Sequence, residues 1–415
     1  MKRRTLLKGV PLILGGPQLW SQSACAGSSG HDDYFNRLNA MLKSQGPGRP
    51  VMLIDRAKMN HNIDLLANSV GPGKNYRVVV KSLPSIPMLK HIMQRAKTSS
   101  VMVFHQPFLN AIAASLPNVD VLLGKPMPVS AARTFYKNLS NDNKGRFKPE
   151  TQLQWLIDTP ERLQQYYSLA RELDIKMQVN FEVDIGLRRG GFAHPDLLRA
   201  VLQTAKIQSD CFRISGLMGY DGHLFGTNAV SLDNTAVHKT LRSYRAFAEV
   251  IRELTPAGES LTLNGAGSTT LRLYENDNII NDLSAGSGIV MPSYFDTYHL
   301  AHNKPAVFIA TPILKRYSGD SSAIKPDSVT NQNLYYIYGG GWRAQVVSPP
   351  DGVTSPTGST NQSSVQAPGG IDLQVDDYIF LRPTQSESVM LQFGDLLVID
   401  RGNIASRWPV FQQRA

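Results

Sequence analysis

The chain has 415 residues, 42% hydrophobic and 18% charged, a globular composition that excludes wholesale disorder. Two cysteines exclude a disulfide scaffold and a four-thiolate zinc site. A net charge of +10 admits a nucleic-acid partner, but no Lys/Arg-rich run follows the N-terminus, so no nucleic acid is expected and a basic enzyme is.

In chain order, residues 1–26 read as an export signal. Met1 to Lys8 is a basic head, 9–20 a short apolar core, and Ala24-Cys25-Ala26 a cleavage signal. Arg3-Arg4 followed by Leu6, Leu7 and Lys8 resembles a twin-arginine signal. A periplasmic or exported protein with no stable membrane anchor is expected, and no apolar stretch reaches spanning length. Residues 27–48 form a linker and a short amphipathic helix. From Pro50, apolar runs recur at 51–55, 77–81, 100–104, 119–123, 154–158, 177–183, 214–218, 261–263 and 279–283. Helical patterns lie between most of them, as at 160–173 and 194–206. Runs without period-two alternation suit strands buried on both faces. Strand–helix alternation implies a parallel α/β architecture, and about eight repeats favour a (β/α)8 barrel over 49–300. A doubly wound sheet would want G-x-G-x-x-G after its first strand, which is missing. Residues 301–415 change rhythm. Short strands at 314–317, 335–338, 344–348, 378–382 and 396–400, punctuated by Gly and Pro, predict an all-β C-terminal domain, with 348–370 as a long exposed loop.

Five segments carry candidate chemistry. Lys81 ends a Val-rich run, where a barrel strand would bring it into the mouth. It reads either as a reactive amine or as an ordinary surface lysine. Glu182 to Gly191 crowds two acids and two arginines at a strand end, fit for an anion or ring nitrogen, or for a structural ion pair. Tyr220 and His223 follow the run at 214–218, and both side chains can move protons. Asn264 to Thr270 is a small-residue loop whose amides and hydroxyls suit an anion, and Ala285 to Gly288 could close the same cup. A reactive lysine on an early strand and phosphate loops last form the order of a barrel that holds pyridoxal phosphate. A barrel holding a phosphorylated sugar is the alternative from the loops alone.

On these residues the sequence resembles the fold-type III pyridoxal-phosphate enzymes, specifically the D-threonine aldolase and D-serine dehydratase-like group with its alanine racemase-type barrel. The matches are Arg49 to Asp55 with Asn60 and Asn62, Arg77 four residues before Lys81, and Glu182, Asp184, Gly186, Arg189 and Gly191 in the acidic strand. They continue with Tyr220, Gly222 and His223, then Gly265, Gly267, Ser268 and Thr269, then Gly286 and Ser287. The resemblance implies a Schiff base at Lys81, with Tyr220 or His223 as a second acid or base. It implies cofactor contacts from Arg77, Arg189, Tyr220, Gly265, Gly267, Ser268, Thr269, Gly286 and Ser287, Arg189 meeting the ring nitrogen. The implied activity is D-threonine-aldolase-like cleavage of D-amino acids or β-hydroxy amino acids. Racemisation, D-serine-dehydratase-like elimination and a non-catalytic cofactor-binding protein are the alternatives. Homodimers are common in the group, each C-terminal domain completing the other's site. The group also holds a divalent ion that polarises the substrate's β-hydroxyl, but Gly402 and Ile404 stand where its ligands would be, so no metal site is expected.

Overall fold

The computed structural model describes residues 30–142, 146–225, 234–317, 332–355 and 358–412. The expected export signal, residues 1–26, lies outside them. Eight parallel strands close a barrel. With Val51–Asp55 as β1, these are β2 Asn75–Val79, β3 Ser100–Val103, β4 Asp120–Leu123, β5 Leu153–Ile157, β6 Met177–Glu182, β7 Phe212–Met218, β8 Thr262–Gly265 and β9 Asp282–Ala285. Parallel pairing of β2 with β9 completes the ring. All four residues of β3 and all five of β5 are buried, which is why these runs show no alternation.

Helix α1 Asp33–Gln45 packs on the second layer, and helices cover the barrel: α2 Arg56–Asn68 precedes it, followed by α3 Ile86–Ala96, α4 Gln106–Ser115, α5 Val129–Asp142, the one-turn α6 Pro149–Gln152, α7 Pro160–Leu173, α8 Pro195–Ile207 and α9 Thr235–Leu254. Their ends follow local chemistry. Thr159 accepts the Arg162 amide at the start of α7, Pro160 takes the first position, and Asp174 ends it in the left-handed region. Between β8 and β9 a 3-10 turn, Leu271–Tyr274, replaces a helix.

The second layer is a nine-stranded sheet. Its strands are β10 Val307–Tyr317, β11 Gln332–Tyr338, β12 Ala344–Ser348, β13 Val353–Thr354, β14 Gln362–Pro368, β15 Tyr378–Pro383, β16 Asp395–Asp400 and β17 Asn403–Pro409, with one helical turn, α10 Glu387–Met390. The ninth member is β1, which corrects the expectation that 51–55 opens the barrel. It runs antiparallel to β10 and parallel to β16 in the middle of the sheet. Successive side chains of a strand point to opposite faces. Met52 and Ile54 join the main core, while Val51 and Leu53 join a second core with Phe35, Leu38, Phe308 and Phe380. A strand between two cores reads in sequence like a barrel strand. The expected loop at 348–370 is also corrected: it carries β13 and β14, and β14 pairs along β11 over seven residues. Ser363, Val365 and Ala367 are its alternate buried positions, small residues that made the strand look like low-complexity chain.

No helix among the described residues is long and apolar enough to cross a membrane.

Candidate active site

The strand β2 ends at Val79 and the chain turns through a 3-10 segment, Val80–Ser82. Lys81 therefore lies just past the strand, at the C-terminal mouth where barrel enzymes place their chemistry. Its Nζ is 2.6 Å from Glu387 Oε1 and 5.0 Å from the centroid of the Phe104 ring. It borders a cleft whose empty space, counted with its open mouth, is about 610 Å³.

Several of the expected residues meet there. Arg189, Tyr220, Gly267, Ser268, Gly286 and Ser287 border the same cleft as Lys81. The cup at one end is built from two loops. Ser268 Oγ accepts hydrogen bonds from the amides of Gly286 (3.1 Å) and Gly288 (3.0 Å). Both amides are spent on this hydroxyl, which fastens the loop after β9 to the loop after β8. Ser287 Oγ donates to Ser82 Oγ at 2.9 Å, tying the cup to the Lys81 turn. A Cβ at position 286 would lie 2.8 Å from the Val79 carbonyl oxygen, and one at 267 would meet the Tyr220 ring at 3.1 Å. The first, against backbone, requires glycine, while the second asks the Tyr220 ring to give by a few tenths of an ångström. Gly265 and Thr269 belong to the same β8 loop but do not border the cleft.

Tyr220 follows β7 and presents its ring to Arg189, whose guanidinium lies 5.1 Å from the ring centroid. Burial, chiefly, and then Asp221 push its phenol above the usual range, opposed by Arg189. The neighbouring Asp221 was not anticipated. It is buried and accepts from Thr270 Oγ1 at 3.0 Å and from the Tyr274 hydroxyl at 2.5 Å, while Thr270 Oγ1 accepts the Gly267 amide. The turn after β7 thus holds the loop after β8 in shape.

Arg189 rides on a turn closed by Asp184 Oδ1, which accepts the amides of Gly186 and Arg188. Beside it, burial pushes the Glu182 carboxyl up to about 7, opposed by Arg189.

Two expected site residues lie elsewhere. His223 does not border the cleft: the turn Gly222–Leu224 sets it against α9, its Nε2 2.9 Å from Thr240 Oγ1, and it packs on Gly186. It braces the turn that carries Arg189. Arg77 is buried below the cleft inside the barrel. Nε and Nη2 donate to Asp282, Nη2 also to Asp120, and Nη1 to the carbonyls of Val101 and Asp120. Five N–H groups meet five protein acceptors, so none remains for a cofactor. Asp282 in turn accepts from Asn264, whose amide also donates to Ser284 Oγ; both border the cleft. The arginine therefore supports the cleft floor at one remove.

Sequence reasoning missed Phe104, Ser284, Phe295 and Glu387. Phe104 carried a signal, since it ends an apolar run. Glu387 carried none, because only the docking of the C-terminal domain brings it to Lys81.

These residues fit pyridoxal phosphate. An amine stands at the mouth, the cup of Gly267, Ser268, Gly286 and Ser287 suits the phosphate, and Tyr220 and Arg189 flank the space between. Among the described residues no group of three or more His, Cys, Asp or Glu side chains gathers as a metal site.

Comparison with known proteins gives the same direction. Residues 54–293, more than half of the chain, match the alanine racemase N-terminal domain family. No curated protein sequence matches significantly. Among solved structures, D-threonine aldolase from Filomicrobium marinum is similar with a TM-score of 0.71 at 14% identity, covering 88% of this chain and 97% of that one. D-threo-3-hydroxyaspartate dehydratase from Delftia sp. HT23 gives 0.66 at 15%, covering 88% and 98%. Alanine racemase from Bacillus anthracis gives 0.66 at 12%, covering 87% and 97%. At such identities these likenesses establish the fold. Together with the site, the family match shows that the chain belongs to the alanine racemase N-terminal domain family, the barrel of the fold-type III pyridoxal-phosphate enzymes.

Proposed function

We propose that the protein is a pyridoxal-phosphate-dependent lyase that cleaves β-hydroxy D-amino acids, with Lys81 as the residue that links the cofactor. The observation that carries the reading is the Lys81 amine at the barrel mouth within one cleft of the Gly267, Ser268, Gly286 and Ser287 cup. When bound, pyridoxal phosphate supplies the electron sink for charge at the substrate's Cα. The rest falls to this chain. The small-residue cup, with the hydroxyls of Ser268 and Ser287, gives room and polar partners to anionic oxygen. Arg189 offers fixed donors to a ring nitrogen or a carboxylate. Lys81 moves protons at Cα, and the Tyr220 hydroxyl is a second donor in the same cleft. The dehydratase and racemase neighbours keep elimination and racemisation as competing reactions, and their products distinguish them: a keto acid or the opposite enantiomer in place of an aldehyde.

The test begins with the loaded protein, which should absorb at about 420 nm. Borohydride should fix the cofactor to the peptide containing Lys81. A Lys81→Ala protein that retains this absorbance would sink the assignment. Aldehyde release across a panel of β-hydroxy D-amino acids then separates lyase from racemase. The reading extends to location: residues 1–26 support export, and an N-terminus at Gly27 in the periplasmic fraction is the expected outcome.

A further inference from the structure

Among the described residues that border the cleft, Glu387 is the one carboxylate. It reaches the barrel from the second domain. Ser386, Val389 and Met390 around it are buried, so the turn is fixed, while the Glu387 side chain stays 40% exposed against Lys81 at 2.6 Å. The other titratable groups on the cleft are Lys81, Arg189 and Tyr220. Arginine is no base, and burial favours the protonated phenol of Tyr220. Aldol cleavage needs a group that takes the proton of the substrate's β-hydroxyl. In the resembling enzymes a divalent ion assists that oxygen. Here the corresponding segment is the hairpin between β16 and β17: Arg401 and Gly402 take positive φ to make the turn, and Ile404 pairs within the ladder. Neither Gly402 nor Ile404 has a ligating side chain.

We propose that Glu387 is the catalytic base at the β-hydroxyl and shares its proton with Lys81, an assignment that rests on the lyase reading above. The carboxylate takes the hydroxyl proton as the Cα–Cβ bond breaks. The hydroxyl-bearing carbon leaves as an aldehyde, and the bond's electron pair stays at Cα. The proton crosses the 2.6 Å contact to Lys81 Nζ, which delivers it to Cα. One O–H and one C–C bond are lost, one C=O π bond and one C–H bond are gained, and no oxidant or other co-reactant enters.

The test compares Glu387→Gln and Glu387→Asp with the native holoenzyme in three measurements. These are aldehyde release from β-hydroxy D-amino acids, exchange of the Cα proton of D-alanine in deuterated water, and the visible spectrum and affinity of the bound cofactor. The glutamine variant should lose about 100-fold or more in kcat for aldehyde release, with KM little changed. It should hold the cofactor and lose far less in exchange of the alanine proton than in cleavage, and the aspartate variant should recover part of the cleavage. Unchanged cleavage in Glu387→Gln overturns the assignment. So does an equal fall in cleavage and exchange, which would make Glu387 a positioning residue for Lys81. If the native protein exchanges the Cα proton but releases no aldehyde from any substrate of the panel, the lyase reading falls and takes this assignment with it.

Discussion

Arg77 stands four residues before Lys81 and Arg189 two before Gly191, and nothing local in the sequence tells their roles apart. The difference is the count of acceptors around each. Arg77 is enclosed with Asp120 and Asp282, and all five of its N–H groups are spent inside the barrel. Arg189 lies on an irregular turn facing Tyr220 and the cleft. Replacing Arg77 by Met should leave the buried Asp282 carboxylate, and the part-exposed Asp120 beside it, without their cation. A loss of about 3–5 kcal/mol in urea unfolding is expected, because a broken buried pair leaves an uncompensated charge. Unchanged stability would show that the two aspartates find other partners. Glu182 makes a second residue-scale prediction. Burial pushes its carboxyl up to about 7, with Asp158 and Asp184 adding to the rise and Arg189 opposing it. In the unfolded chain a glutamate titrates near ~4.3. Between these values the folded protein holds a proton that the unfolded chain has released, so stability falls as pH rises through that window. Glu182→Gln should flatten the decline of melting temperature between about pH 5 and pH 7. A parallel decline in the variant would assign the effect to other groups.

At the scale of elements, what was legible followed from contiguous chemistry. The loops after β6, β7, β8 and β9 each combine glycines with polar residues over a few positions, and the residues of those motifs needed no tertiary information to stand out. The assignments that failed depended on neighbours. The β1 run is apolar on both faces because two different cores enclose it, which mimics a barrel strand. Serine and alanine at the buried positions of β14 hid its alternation. His223 was drawn in by its motif, although the one 3-10 turn between it and Tyr220 sets it against α9. The glycine cup gives the prediction at this scale. An alanine at position 286 places its Cβ 2.8 Å from the Val79 carbonyl oxygen and 3.1 Å from Ser82 Cβ. The loop must shift, which breaks the hydrogen bond from the Gly286 amide to Ser268 Oγ and distorts the cup. Loss of one neutral hydrogen bond costs about 0.5–1.5 kcal/mol, so cofactor Kd by dialysis should rise several-fold, up to about tenfold. The circular dichroism spectrum should stay native, since the loop lies at the barrel rim. Native affinity in Gly286→Ala would remove the loop from the phosphate site.

The whole molecule joins two layers that the chain visits out of order: sheet, barrel, then sheet again. The strand β1 sits between β10 and β16, although 251 or more residues of chain separate it from either. Arg382 of β15 clamps the barrel side, donating to the Met291 carbonyl at 2.8 Å and to both oxygens of Asp296 at 2.9 and 2.6 Å. This connectivity ties the catalytic cleft to the sheet, because Glu387 enters the cleft only while the second domain is docked. It also means that the barrel cannot be cut free at residue 49 or 56 without consequence. Removing the chain before Arg56 takes away β1, leaving β10 and β16 without the strand both pair with and opening the second core around Phe308 and Phe380. Trp342 and Trp408 lie in the second domain and Trp155 in the barrel, so fluorescence of single-tryptophan proteins reports each layer separately. In the full chain both reporters should follow one urea transition. In the shortened chain the Trp408 signal should be lost at low denaturant while Trp155 unfolds later, and cofactor absorbance should respond to added β-hydroxy amino acid no longer. Two separate transitions in the full chain would mean that the clamp and β1 do not couple the layers.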